Sequence, residues 1–326
     1  MQEMDIIRAI LDDRKKSDKT INKVYFTACG GSIAAFYPSK FLLETESVKL
    51  NRVGYYTSNE FVHATPRALD ADSLVIACSH QGDTPETVEA IKLAQEKGAA
   101  TIAFTYKSGS EITKYGDHEI VYDWGPASSP ANQKASKGLK LISALLKETE
   151  DWDKYDTFIK GFDLIDTVVD KACVQSAEYA NEFAEANKME KVIYTVGSGA
   201  NYGSAYMEDI CILKEMQWIH SSSIHSGEFF HGPLEITDTE TPFLLMLGDG
   251  KSRVMDERVL TFLRRYGRKI YLLDVRDLGI SVIDESVVEY FAPLLLNNVV
   301  GVLNRALADA RKHPLSTRRY MWKVSY

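Results

Sequence analysis

The chain has 326 residues, of which 45% are hydrophobic and 26% charged, and a formal net charge of -8 at pH 7. That length exceeds the ~250 to 300 residues one hydrophobic core ordinarily spans, so two domains are expected. The acidic balance argues against a nucleic acid or an anionic membrane as partner while leaving room for a small basic pocket.

The first stretch, MQEMDIIRAILDDRKK, sets Ile6, Ile7, Ile10 and Leu11 at helical spacing without a continuous apolar core, which is not the pattern of a signal peptide. Short β-branched and aromatic runs follow, each succeeded by a helix-like segment, at 23–31, 50–57, 73–79, 100–106 and 118–124. After a polar helical stretch the pattern returns at 191–199, 218–226, 241–248, 268–275 and 287–292. The two series keep step, Val24 with Val192, Ser73 with Thr241 and His118 with Val287. Such a register points to tandem duplication of one α/β unit, a doubly wound αβα layer on a five-stranded parallel sheet. The expected division is 1–160, 161–312 and a tail, 313–326. Residues 125–138, GPASSPANQKASKG, lack periodicity and read as a surface loop. No run reaches the ~18 apolar residues of a membrane helix, because Asn297 and Asn298 interrupt APLLLNNVVGVL.

Cys29, Cys78, Cys173 and Cys211 are far apart, without disulfide or zinc spacing, which suits the cytoplasm. Cys29 and Cys78 close the first and third strands and are expected as small packing residues. In open parallel sheets ligands sit at the carboxyl ends of strands. Three turns there suit an anion. ACGGS offers Gly30, Gly31 and Ser32, and SHQGDTPET offers Ser79 and Thr84 at a helix start, with His80 beside them. GSGANYGS (197–204) is the repeat's version of the first turn. Neither a dinucleotide fingerprint nor a P-loop is present, so the phosphate is expected on the substrate. In HSGEFFHGPLEI (225–236), Glu228 and His231 would share a face of a helix. Their spacing fits proton transfer or a plain structural role, and metal ligation is disfavoured for want of a fourth ligand.

Together, ACGGS, SHQGDTPET, LKEMQWIH and GEFFHGP resemble the sugar isomerase (SIS) family. The resemblance to its fructosamine 6-phosphate deglycases runs nearly end to end, through EMQWIHSSSIHSGEFFHGPLEITD and the tail HPLSTRRYMWKVSY. It implies that Ser32, Ser79 and Thr84 hold a sugar phosphate, with Gln81 where relatives often carry Ser. It also implies that Glu215 moves the C1/C2 proton and that His231 serves ring opening or acid catalysis at the neighbouring subunit's site. Lys323 matches loosely a lysine that closes over the sugar, although RRYMWK could equally be docked by Tyr320 and Trp322 as part of a subunit interface. Glu228 is read as structural.

The implied substrate is a phosphosugar–amino acid conjugate, the implied assembly a homodimer with the site at its interface, and no metal or organic cofactor is called for. A phosphosugar isomerase, an ammonia-dependent aminating enzyme and a non-catalytic phosphosugar sensor are the alternatives. Lys134, Lys137 and Lys140 are candidates for the amino acid's carboxylate, with solvated surface lysines the favoured reading.

Overall fold

The computed structural model describes residues 2–325. The chain divides into two compact units, Met1–Lys160 and Gly161–Tyr326.

In the first unit, β1 (Lys23–Ala28), β2 (Arg52–Thr57), β3 (Ser73–Cys78), β4 (Ala100–Thr105) and β5 (His118–Val121) form a parallel sheet in the order β2-β1-β3-β4-β5. The central β3 and β4 are buried at every residue, which is why SLVIAC and ATIAFT are almost continuously apolar rather than alternating. Helices α1 (Gln2–Lys16), α2 (Pro85–Glu96) and α3 (Lys134–Glu150) contribute the outer layers. The order of strands reverses between β1 and β3, so the connections leaving them diverge and open a crevice at their carboxyl ends. Ser32 and Ser79 follow those two strands.

The second unit contains β6 (Tyr194–Gly197), β7 (Ser223–His225), β8 (Phe243–Leu247) and β9 (Ile270–Asp274), parallel and in the order β7-β6-β8-β9. This is the first sheet's order without its fifth strand. Helices α4 (Ala177–Asn187), α5 (Arg253–Tyr266) and α6 (Val288–Arg311) belong to it. Residues 287–292, expected as the fifth strand, lead into and form the start of α6. The reason is burial on nearly every side: Val288, Tyr290, Phe291, Ala292 and Leu294 to Leu296 are all covered, and a helix so enclosed has no polar face to reveal its period.

By length and hydropathy α6 alone among the described residues could cross a membrane, but two-thirds of its most apolar window is buried within the protein and it packs on α4. It is a core helix. The supposed loop at 125–138 is also more ordered than expected, with a 3-10 turn at Pro130–Asn132 and α3 beginning at Lys134.

A buried acid is set against α6. Asn304 Nδ2 donates to Glu208 Oε2 (2.8 Å), Glu208 Oε1 has no partner, and burial pushes the Glu208 pKa up to about 8. The folded chain therefore holds this proton more tightly than the unfolded chain does. Its stabilising contribution is complete below the unfolded value near 4.5 and is lost as pH rises through about 8. Glu208→Gln, which keeps the neutral shape, should gain on the wild type between about pH 5 and pH 8 and level off above that. Each kcal/mol gained would raise Tm by about 2–4 °C in thermal melts, whereas a pH-independent difference would refute the assignment.

Candidate functional site

The first unit gathers hydroxyl groups and a cation at its switch point into a cradle that is the candidate anion site. Gly30 adopts φ +55°, a left-handed turn that glycine makes at no steric cost, and Ser32 follows in the short helix Gly30–Ala34. After β3, Ser79 is 2% exposed; its Oγ lies 2.8 Å from Thr84 Oγ1 and accepts from Thr84 N at 3.2 Å. Thr84 is the residue before α2, with Pro85 at the first helical position, yet its hydroxyl turns towards Ser79 instead of capping the helix. Gly82 (φ +77°) is packed so closely that a Cβ would collide with the Ser110 side chain, which fixes the loop's path. Gln81 is exposed, with no side-chain hydrogen bond among the described residues.

The charge comes from a residue read from the sequence as solvated. Lys134 Nζ donates to Ser32 Oγ (2.9 Å) and lies 5.0 Å from the centroid of the Tyr122 ring. Ser32 accepts from the ammonium, and its own hydroxyl is also within hydrogen-bonding reach of the Cys78 thiol. A partly buried cation held by a neutral partner favours a bound anion. The other two lysines are likewise not free: Lys137 pairs with buried Glu3 (2.8 Å), and Lys140 is buried. His80 Nδ1 lies 3.0 Å from Tyr122 Oη. Burial, reinforced by the Lys134 charge, lowers the His80 pKa to about 4, so its imidazole is neutral at physiological pH. Burial raises the Cys78 thiol, an inert packing group as expected.

The repeat's copy of the first turn is not a second cradle. Gly199 repeats the left-handed turn (φ +54°), but Ser198 and Ser226 both donate to Asp256 Oδ1 (2.7 and 2.6 Å), and Ser252 donates to Glu289 Oε1 (2.6 Å). Buried Asn201 lies against Gly248, where a Cβ would strike its amide. The hydroxyls that could have received an anion are already donating to the chain's own carboxylates.

In the second unit, Glu215 lies near the end of a π-helical segment, Glu208–Met216. Such wide turns are common at functional sites. Its Oε1 is 2.7 Å from Arg318 Nη2 of the tail. Arg318 itself is only 8% exposed and its Nη1 donates to the carbonyls of Leu315 and Thr317, both at 2.8 Å. Burial raises the Glu215 pKa and the Arg318 charge opposes that rise. Arg318 is the partner of Glu215 that sequence reading missed, since nothing local separates it from Arg319. Within the chain the tail is held through its arginines, with Arg319 4.3 Å from the Trp218 ring, while Tyr320 and Trp322 are exposed. Lys323 Nζ donates to Arg318 O (2.5 Å).

Residues 226–232 form successive turns instead of the imagined helix, ending at Gly232 with φ +139°. Phe229, fully buried in the second unit's core, pins them. Glu228 and His231 are both exposed, and among the described residues no hydrogen bond joins His231 to Glu215. His225 packs on Tyr202 and its Nδ1 accepts from Gly227 N (3.1 Å).

The chain's residues 19–146 match the SIS domain. It is 46% identical over 320 residues to fructosamine deglycase FrlB of Bacillus subtilis (strain 168), covering 98% of this chain and 97% of that protein. It is 30% identical over 319 residues to the fructoselysine 6-phosphate deglycase of Escherichia coli (strain K12), covering 97% and 89%. A Salmonella typhimurium LT2 crystal structure, solved as that of a candidate phosphosugar isomerase, superposes with a TM-score of 0.95 at 48% identity, covering 99% of this chain and 97% of the other.

The geometry of the cradle makes a specific demand on Lys134. Lys134→Met should weaken binding of inorganic phosphate by roughly ten- to a hundredfold, the range for losing a charge-assisted hydrogen bond. It should also raise the His80 pKa, because one of the two causes lowering it is gone. NMR titration of the imidazole checks the second effect, and an unmoved His80 resonance would count against the arrangement.

Proposed function

The chain belongs to the SIS family, and we propose that it works as a deglycase of 6-phosphorylated fructosamines, releasing glucose 6-phosphate and a free amino acid. The observation that carries this reading is the built anion cradle of Ser32, Ser79, Thr84 and Lys134, in a chain so similar over its whole length to a fructosamine deglycase.

In the proposed reaction the cradle holds the C6 phosphate. The C1 hydrogen of an Amadori sugar is on the carbon that bears the amine, directly beside the C2 ketone, which acidifies it. Glu215 takes that proton, and the electron pair left on C1 becomes the C1–C2 double bond of an enaminol while the C2 oxygen is protonated. Protonation at C2 then restores the tetrahedral carbon and leaves a C1 imine. Water adds to the imine and the C1–N bond breaks with protonation of the leaving amine. The sum is hydrolysis, without redox change. His231, exposed and without a side-chain hydrogen bond among the described residues, serves as the acid from the neighbouring subunit of a homodimer in the cytoplasm.

Partial burial matters to this role because it brings the carboxylate's basicity closer to that of neutral solution, while Arg318 keeps the ionised form accessible.

The test mixes purified protein with the 6-phosphates of fructose-aspartate, fructose-asparagine and fructoselysine and couples glucose 6-phosphate to its NADP-dependent dehydrogenase. Glu215→Gln should lower kcat by at least roughly a hundredfold and leave glucose 6-phosphate binding largely intact. No turnover of any conjugate, with interconversion of a free ketose phosphate and aldose phosphate, would replace the deglycase reading by an isomerase.

A separate pH profile addresses Arg318. The wild-type kcat/KM should rise with pH as Glu215 ionises. In Arg318→Met the ascending limb should move to higher pH, since burial then acts on Glu215 unopposed. An unshifted limb with a lowered plateau would mean that Arg318 only anchors the tail.

A further inference from the structure

Three rings close the carboxyl edge of the first sheet, each just beyond the end of its own strand: His80 after β3, Tyr106 after β4 and Trp124 after β5. His80 and Tyr106 are stacked, with centroids 5.3 Å apart and planes 15° from parallel. Trp124 sets its ring at a steep angle to both, 4.9 Å from His80 and 5.7 Å from Tyr106. Tyr106 remains 41% exposed and Trp124 65% exposed. The cluster is therefore ordered by its own contacts and open on one side.

The rings are continuous with the anion cradle. Tyr122, bonded to His80 Nδ1, lies beneath the Lys134 ammonium that bonds Ser32, and Ser79 precedes His80 directly in the chain. An anion at Lys134 would lie beside Tyr122, whose hydroxyl meets His80 at the near end of the ring cluster. An aromatic face is electron-rich at its centre, and it attracts the weakly positive C–H groups of a polyol chain through contact and burial without demanding a hydrogen bond. Holding His80 neutral keeps that surface uncharged. A phosphosugar has the complementary form, a dianion at one end and a C–H face beside it. Inorganic phosphate has only the first.

We propose that His80, Tyr106 and Trp124 form an aromatic shelf that takes the C–H face of a sugar whose phosphate sits in the neighbouring cradle. The shelf distinguishes a phosphosugar from a bare phosphate, and it makes Tyr106 and Trp124 positioning residues for the substrate. The proposal rests on the reading of the cradle as a phosphate site, and extends it from the anion to the carbon skeleton.

Calorimetric titration of the whole protein with inorganic phosphate and, separately, with glucose 6-phosphate tests it. The wild type should bind glucose 6-phosphate more tightly than phosphate. Trp124→Ala and Tyr106→Ala should each weaken glucose 6-phosphate by roughly tenfold, the scale of one lost aromatic contact, and leave phosphate within about twofold. Trp124→Phe, which keeps a ring, should recover most of the loss and guards against misreading a folding defect. If phosphate binds the wild type and both alanine variants hold glucose 6-phosphate as the wild type does, the shelf is wrong while the cradle stands. If those variants change only the oligomeric mass, the rings belong to an interface between copies and the proposal fails. If neither ligand binds the wild type, the cradle reading is lost and the shelf with it.

Discussion

A half-buried ammonium whose hydrogen-bond partner is a hydroxyl is an unfinished arrangement, and the first unit is organised around one. Lys134 sits at the first position of its helix, where Nζ reaches Ser32 at the crevice between β1 and β3. Strand order creates that crevice, the glycines at 30 and 82 give its loops their paths, and the contact between Ser79 and Thr84 keeps a second pair of hydroxyls beside it. Remove the cation and the remaining groups are ordinary strand-end polar residues. With it, they gather hydroxyls and one positive charge in a form that suits an anion.

The second unit shows the same backbone turned to the opposite end. Its strand order repeats, and Gly199 repeats the left-handed turn of Gly30. Yet the residue at the start of its long helix that reaches the turn is Glu289, where the first unit presents Lys134. A carboxylate bonded to Ser252, and another at Asp256 bonded to Ser198 and Ser226, supply internally the negative charge that the first unit leaves to a ligand. One copy of a duplicated fold thus leaves a cation and hydroxyls unmatched by its own carboxylates, while the other pairs the corresponding hydroxyls internally. The Asp256 carboxyl, lifted to about 6 by burial, shows that this closure is not free of electrostatic cost.

Glu215 illustrates how a chemically useful carboxylate is held between two opposed effects. Burial disfavours its charge, and Arg318, arriving from the tail 103 positions later by chain number, restores part of it. Burial by itself favours the protonated form, and the Arg318 charge by itself favours the ionised one. The tail is consequently part of the electrostatics of the carboxylate, and its own anchorage through Arg318 and Arg319 fixes where that charge sits.

What the sequence determined by itself was everything written in short-range pattern. Apolar runs and their repeat gave the parallel sheets and the duplication, and the Gly-Ser and Ser-x-x-x-x-Thr-Pro turns marked where hydroxyls would gather. Tertiary structure decided matters that depend on which distant groups meet. Residues 287–292 became helix because enclosure on all sides erased the period that separates helix from strand. Lys134 meets Ser32 102 positions away, Arg318 meets Glu215 on another element, and Glu289 from a distant helix takes up the Ser252 hydroxyl beside the second turn. His231, which spacing suggested on a helix with Glu228, stands instead in a turn pinned by Phe229. Spacing along a chain encodes periodicity and local steric freedom; the partner of a charge is set by packing, and the partner decided which of these turns could take a ligand.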